Sequence, residues 1–237
     1  SSQAMQSSSS ETSPRSAFEA FASAADVAAA DAAFADLVAA VPGALTIADQ
    51  GLFFLEELAD RVTPLLNFRQ RQVFKHLLGE ADARQRTLDL MRVAPDAITA
   101  RPGPPDRGRV LVSGAGPAGL RAAVEAALLG FQVTVVDVRG DPGPETMLAL
   151  WPGTVQDLAA CGARFFARWD PHGQVVQLDR RQACLALHKV CRLLGVEVVP
   201  RFEFFGLAPP TAQGARWEGR LRPAQHRRPT LRARHRL

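Results

Sequence analysis

The first third of the chain repeats its apolar residues at the three- and four-residue spacing of amphipathic helices. This spacing occurs over residues 18–41, 51–62, 64–79 and 82–93. Pro64 suits the first turn of the third segment, and Gly79 suits its C-terminal cap. The pattern therefore predicts an N-terminal helical region, which we assign to 17–93.

A proline- and glycine-rich connector at 94–108 separates this region from a different hydrophobic pattern. Beyond it, short apolar runs alternate with helical spacing, at 110–112, 117–129, 131–138, 180–195, 196–199 and 201–207. Strand, helix and strand in this order open a parallel, doubly wound sheet. We therefore predict an α/β protein in which an N-terminal helical layer is followed by a partial parallel sheet at 109–207.

The two ends of the chain lack such patterns. Residues 1–16 are rich in serine and are expected to be disordered. The net charge of +4 is local, because 208–237 holds eight arginines and a single acidic residue. We expect this arginine-rich tail to be disordered, with at most weak electrostatic attraction to nucleic acid or other acidic surfaces.

The cysteines indicate a reduced compartment. Their number is odd, and Cys161, Cys184 and Cys191 show no paired spacing. Cys184 and Cys191 share a helix face, which is typical of core packing. We expect a cytoplasmic protein without a metal site, since no histidine has a partner at ligand spacing. No apolar run approaches the ~18–20 residues that cross a bilayer, so a membrane anchor is not predicted.

Candidate chemistry begins at a glycine cluster. Gly114, Gly116 and Gly119 follow a predicted strand and open a predicted helix, which is the context of the dinucleotide-binding fingerprint. Gly114 allows a tight turn, Gly116 lets backbone amides approach a pyrophosphate, and Gly119 lets the helix pack closely on the strand. The helix N-terminus then offers unpaired N–H groups and partial positive charge to phosphates.

An acidic residue completes this motif. Asp137 ends the second strand, where its carboxylate can accept hydrogen bonds from the hydroxyls of an adenosine ribose. The same charge disfavours a 2′-phosphate at this site. Arg139 could reach the adenine end or a phosphate. The sequence therefore predicts a bound adenine dinucleotide; the alternative is a Rossmann-like core that has lost its ligand, and the motif does not separate FAD from NAD.

Several longer stretches resemble one enzyme family. They are LVSGAGPAGLRAAVEAALLGFQVTVVDVR, LWPGTVQDLAACGARFF, RQACLALHKVCRLLGVEV and FEFFGL, with FEAFASAADVAAADAAFADL and LNFRQRQVFKHLL in the helical region. Together they are similar to the flavin monooxygenase domain of the MICAL family, whose members use FAD and NADPH to oxidise methionines of filamentous actin. The resemblance implies an FAD-binding oxidoreductase of Rossmann type, with NADPH as candidate reductant and actin as candidate partner.

The resemblance also implies individual FAD contacts. Ala118 stands in the phosphate turn, where the family usually has cysteine. Asp137 stands at the family's glutamate, and Val138 and Arg139 complete the adenosine-binding triplet, with Val138 replacing a lysine.

Two further positions match family residues at the nucleotide and flavin sides of the fold. Phe204 falls on a phenylalanine that lines the nucleotide site, and Arg181 on an arginine at a helix start. An Arg-His-Asn triplet that contacts flavin in the family is replaced by Pro144, Glu145 and Thr146. That replacement removes hydrogen-bond donors for an anionic cofactor.

No catalytic acid, base or nucleophile is identified in the sequence. After residue 207 the family pattern stops, so we expect an incomplete domain from a truncated chain. One alternative is a pseudoenzyme that holds FAD or NAD without turnover. Another is an interaction fragment that acts through its basic tail.

Overall fold

The computed structural model describes residues 13–41, 52–92, 108–140, 146–167, 175–210 and 217–224. Its α-helices are α1 (Pro14–Ser23), α2 (Val27–Ala40), α3 (Leu52–Val62), α4 (Phe68–Arg92), α5 (Pro117–Leu128), α6 (Pro152–Ala160) and α7 (Arg180–Leu193). Its strands are β1 (Arg109–Ser113), β2 (Gln132–Asp137), β3 (Met147–Leu150), β4 (Val176–Asp179), β5 (Glu197–Pro200), β6 (Phe202–Ala208) and β7 (Glu218–Pro223). Short 3₁₀ turns follow α3 and α6, at Thr63–Leu65 and Ala163–Phe165.

The first predicted helix is in fact two. Ala24 ends α1, and Asp26 begins α2 by accepting the Ala29 N–H at 2.8 Å. An aspartate in this position satisfies one of the unpaired amides of the helix N-terminus. The local hydrogen bond divides the helical region where apolar spacing alone predicts a continuous helix.

The third and fourth predicted helices, 64–79 and 82–93, are instead joined in one. The helix α4 runs without a break through Gly79, so the prediction of a cap at this glycine is wrong. Leu77 and Ala81, on either side of it, are both buried. Their shared packing face continues across Gly79 and outweighs the weak helix propensity of glycine.

The predicted parallel sheet is confirmed. It contains three strands in the order β1-β2-β5, and β2 pairs in parallel with both neighbours. Val133, Val135 and Val136 of β2 are buried, as is typical of the central strand of a covered parallel sheet. The helix α5 follows β1, and the helices α5 and α7 end just before Gly130 and Gly195, as predicted.

Two antiparallel strand pairs accompany this sheet. The sequence pattern predicted neither strand of the first, in which β3 pairs with β4. In the second, β6 pairs with β7. The strand β7 lies in the arginine-rich tail, so the expectation of disorder is wrong for residues 218–223. The parts of the tail at 211–216 and 225–237 lie outside the described residues, as do the serine-rich start up to residue 12 and the connector over 93–107.

The helical layer and the sheet layer share a hydrophobic core. The buried side chains of both regions form one cluster, in which Phe21 and Phe34 pack with ring centroids 5.4 Å apart. Phe54 of α3 packs against Gly195 at the end of α7, and a Cβ at Gly195 would lie 3.0 Å from its ring. Cys184 and Cys191 are buried and unpaired, which confirms the core-packing prediction. The assignment of the chain to separate domains stays a prediction.

A buried lysine also links the two layers. The Nζ atom of Lys189 in α7 donates to the carbonyl oxygens of Ala22 and Ala24, both at 2.8 Å. These carbonyls lie at the C-terminal end of α1, where a cation is favoured by the helix dipole. Burial lowers the pKa of Lys189 to about 8.

Charged side chains fasten the helices α4, α5 and α6 to one another. Glu125 of α5 accepts from Arg84 of α4 at 2.7 Å and from Arg121 at 3.0 Å. Arg121 also contacts Asp157 of α6 at 2.7 Å. In the part of the chain that the structure describes, no helix is both long and apolar enough to cross a bilayer.

Candidate dinucleotide-binding site

The glycine turn joins β1 to α5 at the carboxyl edge of the parallel sheet. Gly114 has a φ of 111°, a conformation that other residues adopt only under strain. Its N–H donates to the carbonyl oxygen of Val136 at 2.7 Å, which ties the turn to β2. The chain can therefore reverse directly from β1 into α5 beside the end of the neighbouring strand.

Close packing of α5 on this turn requires Gly119. A Cβ at this position would lie 2.0 Å from the carbonyl oxygen of Gly114 and 3.4 Å from a methyl of Val112. Gly116 is the N-cap of α5, with no side-chain hydrogen bond to the helix, and Pro117 occupies the first helical position. The amides of the first turn thus keep the arrangement that accepts an anion at a helix N-terminus.

Asp137 organises the turn from the end of β2. It is only 7% exposed. Its Oδ2 atom accepts the Ala115 N–H at 2.7 Å, and its Oδ1 atom accepts the Arg139 N–H at 2.7 Å. The Arg139 Nε atom lies 3.6 Å from Oδ1. Because a carboxylate has about four lone-pair positions, acceptor capacity remains for hydroxyl donors.

A pocket lies beside this carboxylate and is lined mainly by apolar groups. Its lining residues are Val27, Ala115, Leu120, Asp137, Arg139, Gly140, Cys184, His188, Val198 and Pro200. They come from α2, α5, α7, the end of β2 and β5. Burial raises the pKa of Cys184 to about 11, so its thiol is a neutral part of the wall. An apolar wall beside a buried carboxylate is suited to a planar ring that carries polar substituents.

One side of the pocket is held by an ion cluster between α2 and α7. His188 is almost fully buried, and its Nε2 atom lies 2.8 Å from Oδ1 of Asp31. The Arg192 Nε atom lies 3.1 Å from the same oxygen. Burial opposes ionisation of Asp31, but the His188 hydrogen bond and the charges of His188 and Arg192 lower its pKa. This cluster brings the N-terminal helical region to the edge of the pocket.

The structure brings most of the predicted site residues together. Gly114, Gly116, Gly119, Asp137 and Arg139 surround the turn and the pocket. Ala118 and Val138 are exposed next to them.

Two predicted residues are placed differently. Arg181 is exposed in the first turn of α7, and its backbone N–H donates to Asp179 at 2.8 Å. Phe204 lies in β6, half-buried against β7, and does not line the pocket. Thr146 is exposed, whereas Pro144 and Glu145 lie outside the described residues.

The sequence did not point to some of the residues that line the site. Val27 and His188 are far from the glycine turn along the chain. The sequence indicated only that both residues lie in helical segments. Arg180 was also missed, although its guanidinium lies beside Gly116. Within the described ranges, no group of three or more histidines, cysteines or carboxylates could hold a metal ion.

Comparison with known proteins places this site in a wider context. The family profile described as alanine dehydrogenase/PNT, C-terminal domain, matches residues 87–146, which include the glycine turn and Asp137. A crystal structure of FqzB is similar with a TM-score of 0.37 and 19% identity, over 46% of this chain and 31% of that chain. That likeness is too weak to support an argument about the fold.

The sequence relatives are F-actin monooxygenases. The chain is 46% identical over 116 residues to MICAL1 of Rattus norvegicus, covering 49% of this chain and 11% of the relative. It is 44% identical over 115 residues to MICAL1 of Homo sapiens, covering 48% and 11%. It is 40% identical over 118 residues to Mical of Drosophila melanogaster, covering 50% and 2%. The chain thus spans about a tenth of the MICAL1 proteins, and over about half of its own length it is similar to the MICAL monooxygenase family, which confirms the predicted resemblance.

Proposed function

We propose that the chain binds FAD and is the nucleotide-binding part of a MICAL-like oxidoreductase of the cytoplasm. The observation that carries this proposal is the hydrogen bond between the glycine turn and the carboxylate, in which Asp137 accepts the Ala115 N–H. This bond holds an anion-binding helix N-terminus and a ribose-binding carboxylate at one edge of the sheet. The steric demand for glycine at position 119 supports the same proposal.

The residues present fit an adenine dinucleotide. The first turn of α5 would hold the diphosphate, Asp137 would hold the ribose hydroxyls, and the wall containing Val27, Cys184 and Val198 would accept the adenine. When bound, the flavin would supply the redox chemistry, including activation of oxygen. The contribution of this chain is to bind and orient the cofactor through groups that are already fixed by hydrogen bonds.

Actin enters the proposal through the relatives, whose names state that they act on F-actin. NADPH enters it through the resemblance of the sequence to the MICAL family. The Asp137 charge disfavours a 2′-phosphate at this site by repulsion. We therefore assign the site to FAD and regard NADPH as a reductant that does not occupy it. Oxidation of actin methionines is the corresponding proposed activity.

A second candidate is a nucleotide-binding protein without turnover. It is favoured by the replacement of the family's Arg-His-Asn triplet by Pro144, Glu145 and Thr146. Proline and a carboxylate at these positions would not donate hydrogen bonds to an anionic cofactor. Under this candidate the chain would hold FAD or NAD, and added NADPH would not be oxidised.

The first experiment is a binding measurement on the whole chain. The absorbance between 350 and 500 nm reports flavin that copurifies, and quenching of flavin fluorescence reports added FAD. We expect Asp137→Asn to weaken FAD binding at least tenfold, which corresponds to about 1.4 kcal/mol. Asp36→Asn is the matched control, because Asp36 is exposed on α2 away from the pocket.

The outcomes separate the candidates. FAD binding that is lost in Asp137→Asn and kept in Asp36→Asn supports the proposal, and NADPH oxidation by the loaded protein then distinguishes turnover from storage. Equal binding by Asp137→Asn would contradict the assignment of this carboxylate. A folded chain that binds neither FAD nor NAD would exclude both candidates.

A further inference from the structure

Arg180 lies beside the glycine turn although it belongs to another part of the chain. It is the first residue of α7, whereas the turn precedes α5. A Cβ placed on Gly116 would lie 3.6 Å from the Nη2 atom of Arg180. Gly116 is the N-cap of α5, so the guanidinium faces the end of the helix at which an anion is favoured.

The local structure holds Arg180 in this position. Its backbone N–H donates to the carbonyl oxygen of Thr146 at 2.9 Å, which attaches the start of α7 to the residue that precedes β3. The preceding Asp179 caps α7 through the Arg181 N–H. Arg180 itself is partly buried. Its backbone is therefore anchored on both sides while the side chain extends toward the turn.

Charge around the turn is arranged for an anion. Among the ion pairs between described residues, none includes Arg180. Arg180 and Arg139 both favour the thiolate of Cys184 electrostatically, so both cations lie near the same pocket wall. Two carboxylates lie near the same thiol, and both accept backbone amides: Asp137 those of Ala115 and Arg139, and Asp179 that of Arg181. A guanidinium beside unpaired helix amides is an arrangement that recognises phosphate oxygens.

We propose that Arg180 binds the diphosphate of the dinucleotide held by the glycine turn. This inference rests on the proposed function and adds a residue to that site. The backbone amides orient the diphosphate, and the guanidinium donates to the oxygens that the amides leave free. Because the interaction is with phosphate, it concerns ligands that carry a diphosphate and not the base or the flavin ring.

The test compares ligands with and without phosphate on the whole chain. FAD and ADP carry the diphosphate, whereas adenosine lacks it. We expect Arg180→Gln to weaken FAD and ADP binding at least tenfold and to leave adenosine binding unchanged. We also expect the salt dependence of ADP binding to become less steep, because one cation is lost. Arg180→Lys, which keeps the charge without the planar fork, should recover part of the affinity.

Arg86→Gln is the matched control. Arg86 lies on the exposed surface of α4, where it pairs with Asp82 at 2.8 Å. Circular dichroism of each variant separates loss of binding from loss of fold. If Arg180→Gln does not fold, the comparison is made with Arg180→Lys. Weaker ADP binding with unchanged adenosine binding in this variant supports the inference. Binding of ADP and adenosine as tight as in the unmodified chain overturns it.

The two proposals fail in different ways. An unmodified chain that binds no FAD, ADP or adenosine would overturn the site and Arg180 together. If Arg180→Gln binds FAD as tightly as the unmodified chain does, the role of Arg180 is overturned and the site is left intact. Equal losses of ADP and adenosine in Arg180→Gln would indicate a structural effect and would also overturn the proposal.

Discussion

Two helical glycines have opposite consequences for this protein. At Gly119 a Cβ would overlap the carbonyl oxygen of Gly114, whereas at Gly79 nothing lies within 4 Å of the same added atom. Both residues have helical neighbours on each side. The difference therefore arises from the approach of α5 to the glycine turn and not from helix propensity.

Gly119→Ala should lower stability and remove dinucleotide binding. A Cβ 2.0 Å from a backbone oxygen cannot be accommodated without moving α5 away from β1. Overpacking of this kind costs about 1–3 kcal/mol. The free energy of unfolding from urea titrations, followed by circular dichroism, measures the first effect, and flavin fluorescence measures the second. Unchanged FAD affinity in this variant would contradict the close approach seen here.

Gly79→Ala should instead stabilise the protein. Replacing an exposed interior helical glycine by alanine is worth about 0.5–1 kcal/mol, and no neighbour opposes the methyl group. The same urea titration should show a higher midpoint with an unchanged slope, and FAD binding should not change. A lower midpoint would mean that α4 is not continuous at residue 79.

The residues that were predictable are those whose role depends on near neighbours in the sequence. Gly114, Gly119 and Asp137 follow from the order of strand, turn, helix and strand. Arg180 did not, because the direction of a side chain at the start of α7 depends on how the antiparallel pair of β3 and β4 meets that helix. His188 had no visible partner, because its contact with Asp31 joins helices from opposite ends of the sequence.

At the level of elements, α5 is attached to α4 and α6 by ion pairs with a defined pH dependence. The Arg84 hydrogen bond is the main reason that the pKa of Glu125 is lowered. The Arg121 hydrogen bond does the same for Asp157. A carboxyl with a lower pKa in the folded state stabilises the fold at pH values above its unfolded pKa. That stabilisation is lost as the pH falls through the folded pKa.

We expect the free energy of unfolding to decrease between pH 7 and pH 3, and Glu125→Gln to reduce this decrease by about 1 kcal/mol. The estimate is that of partly exposed ion pairs, which contribute little individually. Urea titrations at several pH values provide the measurement. Asp82→Asn is the control, since Asp82 pairs with Arg86 on an exposed surface and should leave the pH dependence nearly unchanged. An identical pH profile in Glu125→Gln would refute the role of this network.

Elements with strong hydrophobic periodicity were predictable, and elements without it were not. The apolar runs of β2 and the amphipathic spacing of α7 marked both correctly. All six residues of β7 are exposed, so the strand has no alternation that could mark it. Its formation depends on pairing with β6 and on contact of Gly219 with Leu111 of the sheet, neither of which is local.

At the scale of the whole molecule, the helical layer and the sheet layer are joined through their interior. Phe54 of α3 packs on Gly195, which leads directly into β5 and the pocket residue Val198. Lys189 of α7 holds the carbonyls that end α1. The shared core makes each region part of the other's packing.

Phe54→Ala should therefore destabilise both layers together. Truncation of a buried phenylalanine costs about 3–5 kcal/mol, and Phe54 is only 1% exposed. Phe53→Ala is the matched control. Phe53 is the neighbour of Phe54 and is 58% exposed, so this substitution should hardly change stability. Hydrogen exchange should show the amides of α2 and β2 losing protection in parallel in Phe54→Ala. If β2 stayed protected while α2 exchanged freely, the two layers would be separate folding units, and the helical wall of the pocket would not be required for the sheet to form.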